Sequence, residues 1–296
     1  MMFRLRRLLA PFVLCIALLF SEAQAFTIAW LSDTQNYHNA YKPIFDGMTQ
    51  WIADNREALD IRFVFHTGDV VGSWRSEDQW RQARESMDIL SNASIPFLAA
   101  CGNHDIGYRM NYANFLKYVL SLRPASMSQE YGDTGSRYEL FSANGRDYIF
   151  MGIAFSNKGP SEDEVNWING VLRQYSSRDA IIITHSYLKK SASYTTQGKA
   201  IFEKIVKANP NVFLVLCGHC RDISYKNVQL DDDGDGDPDR TVYAILSNFQ
   251  GSKAGGGGYM RILDFRDSDI YIYTYSPYYD SCEYPKGKTE ATVPLP

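Results

Sequence analysis

The stretch "IPFLAACGNHD", Ile95 to Asp105, joins an apolar run directly to a cluster of polar residues. Four similar runs occur elsewhere in the chain: "FTIAWLSDTQ", "IRFVFHTGD", "AIIITHS" and "VFLVLCGH". Their apolarity is continuous rather than alternating, which is typical of strands buried on both faces. The sequence therefore predicts five buried strands, each ending in polar side chains.

Helix-like segments between these strands predict an α/β (α+β) fold. They span residues 41–59, 76–92, 161–175 and 197–208, and Ser161 and Glu164 have the spacing of a capping box. Residues 138–155 predict a hairpin that turns at Asn144-Gly145, and residues 241–276 predict a meander of three strands. Ligands of open α/β sheets lie beyond the carboxyl ends of the strands, so we expect the polar clusters to meet at one rim.

Composition excludes some classes of partner. The 296 residues carry 30 basic and 34 acidic side chains, a net charge of −4, so the chain lacks the basic footprint of a nucleic-acid-binding protein. No segment beyond residue 25 is long and apolar enough to span a membrane.

The first 25 residues have the pattern of a signal peptide. Arg4, Arg6 and Arg7 precede an apolar run from Leu8 to Phe20, and Ala23-Gln24-Ala25 forms a small-residue cleavage site. We expect a mature domain of residues 26–296 that is secreted or periplasmic. The disulfide pairing of its four cysteines stays open; they are Cys101, Cys217, Cys220 and Cys282.

Five short motifs carry a resemblance to a known family. In chain order they are "SDTQ" (32–35), "HTGDVVG" (66–72), "CGNHD" (101–105), "THS" (184–186) and "CGH" (217–219). They resemble the motifs of calcineurin-like metallophosphoesterases, over residues 31–219. The resemblance implies a four-layer αββα sandwich that holds divalent metal ions (Mn, Fe, Zn or Mg). It also implies hydrolysis of a phosphate mono- or diester by attack of a metal-bound hydroxide.

The resemblance also implies a role for each matching residue. Asp33 would hold a first metal and Asp69 would bridge both metals, while the second would be completed by Asn103, His185 and His219. His104 would protonate the leaving oxygen or stabilise charge on the phosphoryl group, and Asp105 would orient the His104 ring.

Two motifs depart from the family pattern, both at the first metal. Asp-x-His is replaced by Asp33-Thr34-Gln35, and Gly-His-x-His by Gly218-His219-Cys220-Arg221. Gln35 still offers a carbonyl oxygen, whereas Arg221 has no acceptor and cannot ligate a metal. Three outcomes stay open: the first site binds a hard ion weakly, His38 or another side chain takes part, or Arg221 clamps a phosphate oxygen.

Two other functions compete with hydrolysis. One is a non-catalytic member of the same fold that binds a metal or a phosphate. The other is an exported dithiol oxidoreductase built on Cys217-x-x-Cys220, which is disfavoured because "RDISYKNVQL" after it predicts strand or loop rather than helix. The motifs do not define the substrate, because specificity resides in the loops around the metals.

The stretch "DDDGDGDPD", residues 231–239, matches the first half of a calcium loop. The candidate ligands of a structural calcium ion are Asp231, Asp233, Asp235 and Asp239. Residue 242, where the usual Glu would stand, is Val. A solvated acidic loop between strands at 223–230 and 241–246 is the alternative.

Overall fold

The computed structural model describes residues 25–122, 129–284 and 290–296, so the predicted signal peptide lies outside the described residues except for Ala25. Thirteen strands lie within these described residues: β1 (Phe26–Leu31), β2 (Ile61–His66), β3 (Phe97–Ala99), β4 (Gln129–Tyr131), β5 (Ser136–Ala143), β6 (Arg146–Ile153), β7 (Asp179–Thr184), β8 (Val212–Cys217), β9 (Asp222–Leu230), β10 (Arg240–Asn248), β11 (Met260–Phe265), β12 (Asp269–Tyr275) and β13 (Glu290–Pro294). Six α-helices accompany them: α1 (Lys42–Asp54), α2 (Glu77–Asn92), α3 (Asn103–Ile106), α4 (Ala113–Tyr118), α5 (Glu162–Gln174) and α6 (Thr196–Ile201).

The strands form two mixed sheets. The first has the order β13-β12-β11-β1-β2-β3, and the second has the order β4-β5-β6-β7-β8-β10-β9. β1, β2 and β3 run parallel, as do β6, β7, β8 and β10. The predicted motif strands are therefore parallel strands of the two sheets; β1, β2, β7 and β8 are central, whereas β3 lies at the edge of the first sheet.

Three apolar clusters define the layers. One lies between the two sheets and contains Phe63, Phe150 and Leu214. A second covers the outer face of the first sheet with α1 and α2, and a third covers the second sheet with α5 and α6. The predicted αββα sandwich is confirmed. Burial on both faces explains why the strands lack polar alternation.

The predicted hairpin is also confirmed. β5 and β6 pair antiparallel from Arg137 opposite Gly152 to Ala143 opposite Arg146. Asn144 and Gly145 both have positive φ, 54° and 73°, as a two-residue type I′ turn requires.

The predicted three-strand meander is wrong. β10 belongs to the second sheet, between β8 and β9, whereas β11 and β12 belong to the first. The chain crosses from one sheet to the other in the segment between Asn248 and Met260. Hydrophobic pattern alone could not separate the two sheets, because a run of buried residues does not show which neighbouring strand it pairs with.

The helix cap predicted at Ser161 is present, and α2 begins with a similar cap that was not predicted. The side chain of Ser76 accepts a hydrogen bond from the Gln79 backbone at the start of α2, and that of Ser161 does so from the Glu164 backbone at the start of α5. The capping box at α5 is only half formed, because the Glu164 carboxylate accepts from Ser136 instead. No helix among the described residues is long and apolar enough to cross a bilayer.

The cap of α5 should contribute measurably to stability. We expect Ser161→Ala to lower the free energy of unfolding by about 1 kcal/mol, because the first turn of α5 would lose a hydrogen-bond acceptor. Urea denaturation followed by circular dichroism measures the change. Ser177→Ala is the matched control, since Ser177 is exposed, and an equal loss in both variants would contradict the capping role.

Candidate metal centre

Polar side chains follow five of the parallel strands at their carboxyl ends. Asp33 follows β1, Asp69 follows β2, and Asn103 begins α3 just after β3, all from the first sheet. His185 and His219 follow β7 and β8 of the second sheet. Contacts between the two groups bring both sheets together at one rim, as the topology predicted.

The imidazole of His185 lies at the centre of this rim. Its Nε2 is 3.3 Å from Asp69 Oδ2, 3.2 Å from Asn103 Oδ1 and 3.2 Å from His219 Nδ1. One ligand atom from each of Asp69, His185 and His219 lies within 4.8 Å of the other two. Four of the predicted ligands therefore converge on one point.

The backbone fixes which nitrogen of His185 faces this point. His185 Nδ1 is 2.8 Å from the carbonyl oxygen of Thr67. A carbonyl can only accept, so Nδ1 carries a proton and donates to Thr67. Nε2 then faces the other ligands. Burial acts to lower the pKa of His185, but the charge and hydrogen bond of Asp69 outweigh it and raise that pKa to about 9, so a cation at Nε2 would take the place of the Nε2 proton.

Asp33 lies beside this group rather than within it, and Gln35 follows two residues later in the chain. Both oxygens of Asp33 accept from the His219 backbone nitrogen at 3.2 Å, and Ser32 Oγ also donates to Asp33. Gln35 is buried, and its Oε1 has no hydrogen-bond partner among the described residues. A buried acceptor without a donor suits a cation ligand.

The electrostatics of the rim favour a bound cation. Burial, reinforced by the charge of Asp69, raises the pKa of Asp33 to about 8. Burial also acts to raise the pKa of Asp69, but the charge and hydrogen bond of His185 outweigh it, so that pKa lies below its usual value. Two enclosed carboxylates, a neutral amide and imidazole nitrogens are a donor set that fits divalent metal ions.

His219 is suited to ligation by its protonation state. Burial, followed by the positive charge of His185, lowers the pKa of His219 to about 4. Its ring is therefore neutral at physiological pH and keeps a lone pair for a metal. The rings of Phe155 and His219 lie 6.0 Å apart, so an apolar wall borders the ligand.

The comparisons with known proteins agree with this geometry. The family model of the calcineurin-like phosphoesterases matches residues 26–220. The chain belongs to this family. The predicted recognition is confirmed, and the candidate site is built from residues of the family motifs.

Relatives and solved structures extend the comparison. The chain is 41% identical over 259 residues to the protein YvnB of Bacillus subtilis (strain 168). The aligned region covers 86% of this chain and 20% of YvnB. The chain thus spans about a fifth of the length of that relative. Its fold is similar to GAP50, the anchor in the inner membrane complex of Plasmodium (TM-score 0.59, 14% identity, 92% of this chain and 89% of that one). It is also similar to the purple acid phosphatase PPD1 of yellow lupin (TM-score 0.58, 14% identity, 92% and 54%).

Three site residues of this calcineurin-like phosphoesterase have a left-handed backbone. Asp33, Asp69 and His219 have φ values of 51°, 53° and 69°. Non-glycine residues adopt this region at a cost of about 1 kcal/mol or more each. The surrounding hydrogen bonds hold them there, for example from the Asp33 nitrogen to the Gly68 carbonyl at 3.1 Å. The left-handed backbone turns each side chain away from the strand direction and toward the rim.

Two motif glycines are needed because the loops interlock. A methyl group on Gly102 would overlap the carboxylate and the backbone nitrogen of Asp69, and one on Gly218 would overlap the carboxylate of Asp33. The glycines in "GN" and "GH" thus allow neighbouring loops to approach the carboxylate ligands. No role was predicted for these glycines, although their place beside each ligand was a visible signal in the sequence.

His66 joins the first two ligand loops without being a ligand. The Gly68 nitrogen donates to His66 Nδ1 at 3.1 Å, so His66 Nε2 carries the proton and donates to Thr34 Oγ1 at 3.0 Å. Thr34 in turn donates to the Val70 carbonyl at 3.3 Å. Burial, then the charge of His185, lowers the pKa of His66 to about 3, which keeps the ring neutral in this network.

The expected role of Asp105 is wrong. Its two oxygens accept from the backbone nitrogens of Val71 at 3.1 Å and Gly102 at 2.7 Å. The ring of His104 is oriented by the Gly72 carbonyl, 2.9 Å from Nδ1. Asp105 holds the β2 and β3 loops together instead, because its side chain is fully buried while the His104 ring is exposed.

The remaining candidates lie outside the ligand group. Arg221 is exposed, and its side chain lies beside Gly251. His38 is half-buried, and its Nδ1 is 3.1 Å from the side chain of Asn39. Asn248 was not predicted; its side chain donates to the His219 carbonyl at 3.0 Å and so supports the β8 loop.

The cysteines do not form a redox pair. All four described cysteines are free thiols. Cys217 is buried in β8, and burial raises its pKa to about 12, so it is not ionised at neutral pH. β9 rather than a helix follows Cys220. The geometry is that of a buried strand residue, which argues against a dithiol oxidoreductase.

The acidic loop joins β9 and β10. This position agrees with the alternative to a calcium site, a solvated acidic loop between two strands. Carboxylates of Asp231, Asp233 and Asp239 lie within 4.8 Å of one another and are exposed, whereas Asp235 is outside this group. Backbone nitrogens already donate to these oxygens, for example Gly234 to Asp231 at 2.6 Å. A structural calcium ion stays a prediction.

The interlocking of loops can be tested at Gly102. We expect Gly102→Ala to reduce the metal content at least severalfold, because the new methyl group would displace the Asp69 carboxylate. Inductively coupled plasma mass spectrometry of dialysed protein measures the metal per chain. Gly170→Ala is the control, since no atom lies within 4 Å of its added methyl group. Full metal content in Gly102→Ala would contradict this packing argument.

Proposed function

We propose that the chain is a metal-dependent hydrolase of phosphate mono- or diesters. The observation that carries the proposal is the convergence of Asp69, Asn103, His185 and His219, with His185 Nε2 within 3.2 to 3.3 Å of an atom of each of the other three. Family membership supports it. The leader pattern supports export to an extracellular or periplasmic compartment, where such a hydrolase would meet its ester.

The ligands divide into two positions. A firm position uses Asp69, Asn103, His185 and His219, whose mixed nitrogen and oxygen donors suit Mn, Fe or Zn. A second position uses Asp33 and Gln35 beside Asp69, and its oxygen donors suit Mg or Mn. If these residues hold divalent cations, the cations would supply a Lewis acid that polarises the phosphoryl group and lowers the pKa of water.

His104 is the candidate acid for the leaving oxygen. Its backbone nitrogen donates to Asp69 Oδ1 at 2.9 Å, which holds it against a metal ligand. Its Nδ1 donates to the Gly72 carbonyl, so Nε2 is the nitrogen left to face a substrate. The exposed ring can exchange protons with water, as a general acid must.

Arg221 is the candidate clamp for a phosphate oxygen. It is exposed and follows His219 by two residues, where the family pattern has an imidazole. A guanidinium there would offset phosphate charge through charge-assisted hydrogen bonds.

A non-catalytic role is the second candidate, favoured by the loss of two imidazoles at Gln35 and Arg221. The Plasmodium protein of similar fold is described as an anchor, so this fold is not restricted to enzymes. In that case the rim would bind a metal or a phosphate without turnover.

Chelation separates these candidates. Wild-type protein loaded with Mn should hydrolyse p-nitrophenyl phosphate or bis(p-nitrophenyl) phosphate, and EDTA should abolish the release of p-nitrophenol. We expect His219→Ala to lower kcat/KM on the order of a hundredfold or more, because a metal ligand is lost.

Cys220→Ser is the control for that loss, since it changes the neighbouring residue without removing a ligand. It should retain most of the activity. Turnover that survives chelation would contradict the metal mechanism. Metal binding without hydrolysis would favour the non-catalytic candidate.

The acid role of His104 predicts a dependence on the leaving group. His104→Ala should lower kcat roughly a hundredfold for a phenyl ester and much less for a p-nitrophenyl ester, because p-nitrophenolate leaves without protonation. Steady-state kinetics on the two esters measure the ratio. Equal losses on both would indicate that His104 stabilises phosphoryl charge instead.

A further inference from the structure

Two arginines next to His104 stack on aromatic rings. The guanidinium carbon of Arg75 lies 4.8 Å from the ring centroid of Trp74, and that of Arg109 lies 5.7 Å from the ring of Tyr108. Arg75 also donates to the Tyr108 hydroxyl at 3.4 Å. We call these four residues the arginine rim.

Contacts on the His104 side place the arginine rim beside the metal centre. The two loops that carry it meet at His104, whose Nδ1 donates to Gly72 at 2.9 Å. Gly107 packs so closely on Trp74 that a methyl group there would overlap the indole. Arg75 is three positions after Gly72, a span of at most roughly 10 Å between their Cα atoms. A leaving group that receives a proton from His104 is therefore within reach of the guanidiniums.

The positive charge of the arginine rim is not neutralised by its surroundings. Within residues 25–122, 129–284 and 290–296, neither Arg75 nor Arg109 forms a salt bridge. The carboxylates that follow Arg75 have other partners: Glu77 pairs with Lys117 at 3.4 Å, and Asp78 pairs with Arg81 at 3.2 Å.

This local charge is unusual for the chain. The protein as a whole has a net charge of −4. Tyr108 is 72% exposed, so the rim is open to a ligand. Stacking on the rings limits the motion of the guanidiniums and leaves their donor edges free.

We propose that the arginine rim is the leaving-group subsite and that it selects phosphoesters whose leaving group carries a second anionic group. This inference rests on the proposed phosphoesterase function. A carboxylate or second phosphate on the leaving group would accept charge-assisted hydrogen bonds from Arg75 and Arg109. The positive field would also speed the encounter with such a substrate.

Two esters that differ only in the leaving group test the subsite. Phenyl phosphate and 4-carboxyphenyl phosphate are compared by kcat/KM from phosphate release, with wild-type protein and with the double variant Arg75→Gln/Arg109→Gln. We expect the preference for the carboxylated ester to fall roughly tenfold in the variant, mainly through KM. In the wild type the preference should also shrink as ionic strength rises.

The control is Arg81→Gln/Arg173→Gln, which removes two exposed arginines outside the rim and should keep the wild-type preference. Glutamine keeps the length of the side chain, and thermal denaturation of both variants checks that they are folded. An unchanged preference in the Arg75 and Arg109 variant would overturn this inference alone. Failure of wild-type protein to hydrolyse either ester with Mn, Fe, Zn or Mg would overturn the proposed function and this inference together.

Discussion

The site depends on a contact between the two sheets, the approach of His185 from β7 to Asp69 from β2. These residues are 116 positions apart in sequence, and their side chains lie 3.3 Å apart. The contact is held by the apolar cluster between the sheets, whose aromatic residues pack closely, such as Phe65 and Phe150 at 4.9 Å between ring centroids. Rigid packing of this kind keeps metal ligands within the few tenths of an ångström that coordination tolerates.

The backbone around the ligands also helps to fix their positions. Left-handed residues turn each loop sharply after its strand, and motif glycines let the loops nest against one another. The buried carboxylate of Asp105 and the neutral ring of His66 then tie the β1, β2 and β3 loops together. Such a site is strained locally and supported by many weak contacts, which is common where function fixes geometry.

Much of this could be predicted from the sequence, because the informative residues are local. Continuous apolar runs identified the central strands, and the rule for strand ends placed Asp69, His185 and His219 together. The sheet assignment of β10 could not be predicted, because a crossing between sheets leaves no local signal. The role of Asp105 was misjudged for a similar reason: adjacency to His104 in sequence suggested a contact, whereas helix α3 turns the two side chains in different directions.

The position of β1 has a consequence for how the chain acquires its fold during synthesis. This strand, which leads to Asp33, pairs on one side with β2 and on the other with β11, so that Phe26 lies opposite Phe265. A nascent polypeptide would expose one edge of β1 until nearly the whole sequence had emerged. Closure of so distant a pair is slow, because chain entropy must be lost before the contact forms. Delayed maturation of this kind would suit the export that we propose from the leader pattern, since an exported chain stays unfolded while it crosses a membrane.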